Sequence, residues 1–235
     1  MRELPILFSG SMVRAILEGR KTQTRRVCKP AQAAALSFVV DCDDGKWGDE
    51  EGNVLFPCPY GQPGDRLWVR ETFYCDDSTY PDGEPITCHW REVDGQRVAI
   101  PLEEQRAEML ENMYYRADGE PDWEGADGPT PWRPSIHMPR WASRITLEVA
   151  GVRVERLQDI SEADARAESM HEFKLSPGSV FGYDRKGTPG PMMRETARAA
   201  FAALWELLNG AGSWDANSWV WVIEFKRLEM KHGRS

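Results

Sequence analysis

The stretch Gly19-Arg20-Lys21-Thr22-Gln23-Thr24-Arg25-Arg26 sets two hydroxyls, an amide and four cationic groups directly after a helix stop. Ahead of it, Ser9 or Ser11 can cap a short helix through Met12, Val13, Ala15, Ile16 and Leu17, and Gly19 supplies the left-handed residue that ends it. Residues 21–29 then read as a polar strand or tight loop. Hydroxyl, amide and guanidinium groups held together suit an oxyanion or the polar edge of a heterocycle. The same residue types also describe a solvated strand with Thr22 and Thr24 as ordinary β formers. Spacing alone does not choose between these readings.

Outward from that stretch the pattern is mixed α+β. Gly64-Asp65 is a turn signal, and Arg66-Leu67-Trp68-Val69-Arg70-Glu71 alternates apolar with charged residues as a half-buried strand does. Ile145 to Val149 alternates in the same way, with Gly151 as a turn and Val152-Arg153-Val154 continuing the pairing. Ser161-Glu162-Ala163-Asp164 has the form of a capping box and opens a helix through Ala165, Ala167 and Glu168. Glu195 to Leu208 predicts an amphipathic helix with Ala199, Leu204, Trp205 and Leu208 inward. Trp219 to Phe225 is too apolar for a solvent face and predicts a central strand. Residues 30–62, 76–140 and 174–191, rich in Gly, Pro and Asp, read as insertions in one domain spanning 1–235, with a helix near Leu102 to Met113 and no core of their own.

Composition narrows the partners. The chain of 235 residues is 41% hydrophobic and 29% charged, and none of its apolar runs approaches a bilayer span. Its net charge of −9 repels polyanions and opposes non-specific coating of nucleic acid, so a nucleic-acid contact has to be local. The local candidate is the basic run of Arg14, Arg20, Lys21, Arg25, Arg26 and Lys29. The N-terminal apolar stretch is broken by Pro5 and has no signal-peptide form, so the expected location is the cytoplasm. Cys28, Cys42, Cys58, Cys75 and Cys88 lack CxxC pairing, and reduced thiols are expected. Only Cys88-His89 are close enough to resemble a zinc ligand pair, so neither a metal nor another cofactor is expected.

The Gly-x-Lys-x-x-x-x-Arg spacing of Gly19, Lys21 and Arg26 resembles the signature of the ASCH superfamily, whose fold is a PUA-like β-barrel with flanking helices. The Pro63 to Val69 turn and strand, the Thr146 to Val149 strand, the Leu157 to Met170 helix and the closing Trp221 to Phe225 strand follow in the order that resemblance implies. Within the superfamily the chain is most similar to the small bacterial N4-acetylcytidine amidohydrolases, and its added length to ASCH proteins of phages and prophages. The resemblance implies Lys21 as catalytic lysine, Thr24 as nucleophile and Glu168 as catalytic glutamate. A threonine hydroxyl needs a base, and a lysine serves if burial depresses its pKa. Arg20, Arg25 and Arg26 would depress it further and Glu168 would raise it.

Arg20, Thr22, Arg25 and Arg26 are accordingly candidate substrate contacts. Trp68 is a candidate pocket wall. Glu71 is expected either in the barrel mouth or paired with Arg70 or Arg91. His137 and Arg140 stand in the aromatic, proline-bounded segment Trp132 to Trp141, which suits stacking on a base. The expected partner is a nucleoside or single-stranded nucleic acid. The expected activity is removal of an acyl group from cytidine or a related nucleoside. A non-catalytic RNA or modified-base reader and a ribonuclease are the alternatives. One constraint is geometric: residues three apart in a straight strand face opposite sides, so Lys21 and Thr24 share a pocket only if the segment bends.

Overall fold

Leu147, Val149, Val220, Val222 and Ile223 are all buried, and they lie on two long neighbouring strands that organise the sheet. The computed structural model describes residues 1–28, 40–41, 46–48, 55–75, 90–93, 96–99, 102–111, 113–121, 132–175, 178–182 and 193–229. In chain order its elements are β1 (Glu3–Leu7), α1 (Gly10–Leu17), β2 (Gln23–Val27), β3 (Val40–Asp41), β4 (Lys46–Gly48), β5 (Leu55–Pro57), β6 (Arg66–Arg70) and β7 (Phe73–Cys75). They continue with β8 (Trp90–Val93), β9 (Gln96–Ala99), α2 (Leu102–Glu111), β10 (Met113–Tyr115), β11 (Thr146–Arg156) and α3 (Glu162–Ala167). The last are β12 (His171–Leu175), β13 (Gly178–Gly182), α4 (Ala197–Asn209) and β14 (Trp219–Leu228).

The chain divides into two compact units: the first comprises 1–6, 11–69 and 145–235, the second 7–10 and 70–144. The first holds a five-stranded sheet in the order β1-β6-β11-β14-β2, with β14 antiparallel to both its neighbours. Among the described residues β1 and β2 are its outer strands and no pairing closes it into a barrel. Gly151 is not the turn its sequence context predicts. β11 continues past it as a single strand, and the register with β14 shifts between Val149 and Gly151, which makes Ala150 the extra residue of a β-bulge. A partner strand as long as β14 is satisfied better by a bulge than by a break in the ladder.

One face of the sheet is closed by α3 and α4, whose apolar residues cluster with Leu157, Ile160, Met170, Phe181, Val220 and Val222. The buried stripe of α4 is Ala197, Ala200, Phe201, Leu204 and Trp205, at helical spacing. Leu204 and Trp205 are therefore inward as expected, but Ala199 and Leu208 are exposed. The helix starts at Ala197 because Thr196 accepts from the Ala199 amide at 3.1 Å, while Glu162 takes the Ala197 and Arg198 amides at 2.9 and 3.1 Å. The Ser161 cap of α3 is formed as its sequence predicts, its hydroxyl accepting from the Asp164 amide at 3.0 Å.

Glu168, read as helical, is instead the C-cap of α3. The Ser169 amide bonds to Arg166 O and the Met170 amide to Ala165 O, a Schellman ending with Ser169 at the left-handed position, φ +87°. Glycine takes that conformation without strain, whereas a serine there costs on the order of 1 kcal/mol.

Residues 30–62 and 174–191 lie mostly outside the described residues. The described parts are the β3-β4-β5 sheet, whose Trp47 packs edge-on to Trp221 at 6.0 Å, and the β12-β13 hairpin. In the second unit, β7 pairs with β10 and a small core forms from Phe73, Cys75, Met109, Met113, Met138 and Ala142. Of these residues Met109, Met113 and Met138 fall within 76–140, while Phe73, Cys75 and Ala142 flank it, and no periodic run announces the cluster in the sequence. Among the described residues no helix is long and apolar enough to cross a membrane.

Leu147 is fully buried at the centre of the sheet. Leu147→Ala should cost about 2–5 kcal/mol in urea denaturation, and a loss below about 1 kcal/mol would remove β11 from the core.

Candidate functional site

Lys21 enters the site because α1 ends sharply. Gly19 takes φ +74°, and the amides of Arg20 and Lys21 both donate to Ala15 O, at 2.8 and 3.0 Å. Lys21 then forms an isolated antiparallel bridge with Glu168. At Thr22 the backbone divides its partners: the amide donates to Ala167 O at 3.0 Å and the carbonyl accepts from the Phe225 amide at 2.9 Å. In a plain strand both groups of one residue point to the same neighbour. The split marks a turn of the chain at Thr22, after which Gln23 to Val27 run along β14.

Lys21 Nζ donates to Glu168 Oε2 at 2.6 Å and to Glu168 O at 3.2 Å, and the two side chains are 0% and 4% exposed. Arg25, equally buried, donates from Nη1 to Glu168 Oε1 at 3.3 Å and from Nε and Nη2 to Glu155 Oε1 at 3.1 and 2.5 Å. Its Nη2 also stands 3.4 Å from Asp164 Oδ2. Arg153 binds the other side of these carboxylates, reaching Glu155 Oε2 at 3.1 Å, Asp164 Oδ1 at 3.2 Å and Glu224. The arrangement follows from register. Val222 of β14 is paired with Arg153 on one side and Arg25 on the other, so both guanidinium groups rise from the same sheet face beside α3.

Burial is the main influence on Lys21 and lowers its pKa below the ordinary lysine value. Glu168 opposes this by charge and hydrogen bond, while Arg26 and then Arg25 push further down; the net direction is down. A lowered lysine pKa means that folding disfavours the proton. The cost is present below the folded-state pKa and disappears as pH rises from there towards the unfolded value. Cys28 and Cys58, buried nearby in the first unit, are pushed up to about 12 and about 11, chiefly by burial, which keeps them as thiols at neutral pH.

The other sequence candidates separate. Thr24 is buried in β2 opposite Ile223, and Arg26 lies two residues further, opposite Trp221, on the same face of the strand. Among the described residues no hydrogen bond joins Thr24 to Lys21. Thr22 is exposed, and Arg20 pairs with Glu18 at 2.7 Å. Trp68 is half-buried in β6 opposite Thr146. Glu71, His137 and Arg140 belong to the second unit. There Glu71 is buried and held by Arg144 at 3.0 and 3.1 Å, in place of the expected Arg70 or Arg91. Arg144 also binds Asp118 and lies 3.9 Å from the Tyr115 ring. His137 and Arg140 stand on successive 3-10 turns, His137 exposed. Sequence reasoning missed Arg153, Glu155 and the ionic role of Asp164. The alternation of Arg153 and Glu155 was a local sign of a charged strip on one sheet face.

Compared with known proteins, the chain has no significant match to a family model, a curated protein or a solved structure. Chemically, the site offers a buried amine with a lowered affinity for its proton, clamped by a carboxylate and overlooked by guanidinium charges. Such a group is equipped to accept a proton from a neighbouring hydroxyl.

Removing the Glu168 charge should lower the Lys21 pKa further, and removing the Arg26 charge should raise it. Lysine-selective NMR titration of Glu168→Gln and Arg26→Gln reads both directions, and unchanged titration in both would remove this electrostatic account.

Proposed function

We propose that the chain is an amidohydrolase that removes the acyl group from N4-acylated cytidine or a related modified nucleoside, on a PUA-like barrel of the ASCH type whose wall is the five-stranded sheet. The observation carrying this reading is the Lys21–Glu168 pair: a lysine wholly out of solvent, with a lowered pKa and its amine oriented by a carboxylate. Thr24 Oγ1 attacks the amide carbonyl as Lys21 takes its proton. The resulting ammonium returns the proton to the departing cytosine amine. Water, activated by the same lysine, then cleaves the threonine ester to the carboxylic acid. Glu168 keeps the amine in place through both steps.

Two features support Thr24 as the nucleophile. The divided backbone bonding at Thr22 supplies the bend that a shared pocket requires. Arg26, on Thr24's face of β2, contributes by its charge to the lowered pKa of Lys21. Catalytic hydrogen bonds commonly tighten only with substrate in place. The RNA-reader alternative draws less support, because Arg20 and Arg25 are already matched by Glu18, Glu155, Asp164 and Glu168. The ribonuclease reading has no histidine pair behind it in the sequence.

Hydrolysis of N4-acetylcytidine, followed by chromatography, is the test. Lys21→Ala and Thr24→Ala should each lower kcat/KM by about 10²- to 10⁴-fold, and the wild-type rate should rise with pH through the lowered Lys21 pKa to a plateau. No turnover by folded wild type, or equal rates in Lys21→Ala, would sink the proposal.

A further inference from the structure

α4 carries one face that the core does not use. Its buried stripe is Ala197, Ala200, Phe201, Leu204 and Trp205, and helical spacing puts Ala199, Ala202, Ala203 and Glu206 on the opposite side. Beside that outward side the loop bearing Trp214 leaves a cavity of about 440 Å³. Arg194 and Arg198 line it at the start of the helix, Glu206 in the last turn and Asp215 in the loop. The cavity lies wholly in the first unit and shares no residue with the Lys21 site. Its walls are held in place. Gln158 Nε2 donates to Trp214 O at 3.0 Å, and the Trp214 ring stands 6.4 Å from the Phe201 ring and 5.6 Å from the Arg198 guanidinium.

The charges in this lining are fixed but not neutralised. Arg198 Nη2 donates to Gln158 O at 2.7 Å, Arg194 Nη1 donates to Met193 O at 2.8 Å, and Glu206 Oε1 accepts from the Gly212 amide at 3.0 Å. Among the described residues none of these three, nor Asp215, makes an ion pair, although both signs line one groove. Their order also runs against the helix dipole, which favours anions at the N-terminal end and cations at the C-terminal end. α4 has Arg198 in its first turn and Glu206 in its last, with no acidic residue in the first turn and no basic residue in the last. The helix propensity of alanine is enough to explain the methyl groups between them. It does not explain that order of charge.

A second copy does. Two α4 helices packed antiparallel about a twofold axis set the first turn of each against the last turn of the other, so Arg194 and Arg198 meet Glu206 of the partner subunit, and the match occurs twice. Alanines in the middle let the helix axes approach to about 8 Å. A partner of one sign would meet its like at one end of the groove. We propose that the outward face of α4 is a self-association surface on which a second copy of this chain docks antiparallel to the first. A helix of 13 residues is about 20 Å long, which places the contact at the small end of interfaces, and the net charge of −9 opposes it. The dimer is therefore a weak one, with a Kd between about 1 μM and about 1 mM. It stands independently of the chemistry proposed for Lys21.

Sedimentation velocity of the full chain from about 1 μM to about 1 mM reads this equilibrium, and wild type should pass from monomer to dimer within that range. Arg194→Glu/Arg198→Glu places acidic groups at both ends of the helix, and Glu206→Lys places basic groups at both. Each variant alone should dimerise at least about tenfold more weakly than wild type. Mixed in equal amounts, the two should form a heterodimer with an affinity near that of wild type, because each then meets the opposite sign. Restored association in the mixture also shows that neither variant failed through misfolding. Wild type that stays monomeric at about 1 mM overturns the proposal, whatever other molecule the groove then binds. Dimers that form equally in either variant, or a mixture that associates no better than its components, overturn it as well.

Discussion

The buried contact between Lys21 and Glu168 is the constraint around which the rest of this region is arranged. Taking a charged amine and a carboxylate out of water costs several kcal/mol per ion, and their mutual attraction offsets this only with good geometry and further hydrogen bonds. The structure supplies both. The amine has two acceptors on one residue, and the second carboxylate oxygen is taken by Arg25. The backbone is recruited too, since the same two residues form a β-bridge. Main-chain pairing fixes the side-chain partners, so the ion pair does not have to find its own geometry.

Charge in this region is internal. Arg25 and Arg153 share Glu155 and Asp164, and Glu168 divides its oxygens between Lys21 and Arg25. Each carboxylate stabilises the guanidinium groups, yet the network leaves Lys21 with its proton disfavoured, because burial outweighs the opposing charge and hydrogen bond of Glu168. An arginine in that position would remain charged at any accessible pH. A lysine is the cation whose proton can be removed, which is why its burial bears on chemistry and not only on packing.

Local signals were legible in the sequence where one segment contains all the information. The stop at Gly19, the Ser161 cap, the alternation in β6 and the apolar run of β14 depend on neighbours within a few residues, and each forms as read. Features needing a distant partner were not legible. Gly151 looks like a turn until the length of β14 demands a bulge. Leu208 looks like core until the buried stripe of α4 is seen to end at Trp205. The core of the second unit is assembled from residues as far apart as Phe73 and Met138. In the site, Lys21 and Glu168 came from a resemblance, while Arg153 and Glu155, which complete the ionic network, acquire a role only when β11 is laid beside β14.

The N-terminal basic run shows why sequence charge and surface charge differ. Read along the chain, Arg20, Lys21, Arg25 and Arg26 form a cluster fit for a polyanion. In the fold Lys21 and Arg25 are buried with carboxylates, Arg26 is half-buried, and Arg20 is tied to Glu18. An extended strand sends alternate residues to opposite sides, so a run of four cations cannot present one face. What survives is a short-range field, strong among the buried groups and weak outside a molecule of net charge −9.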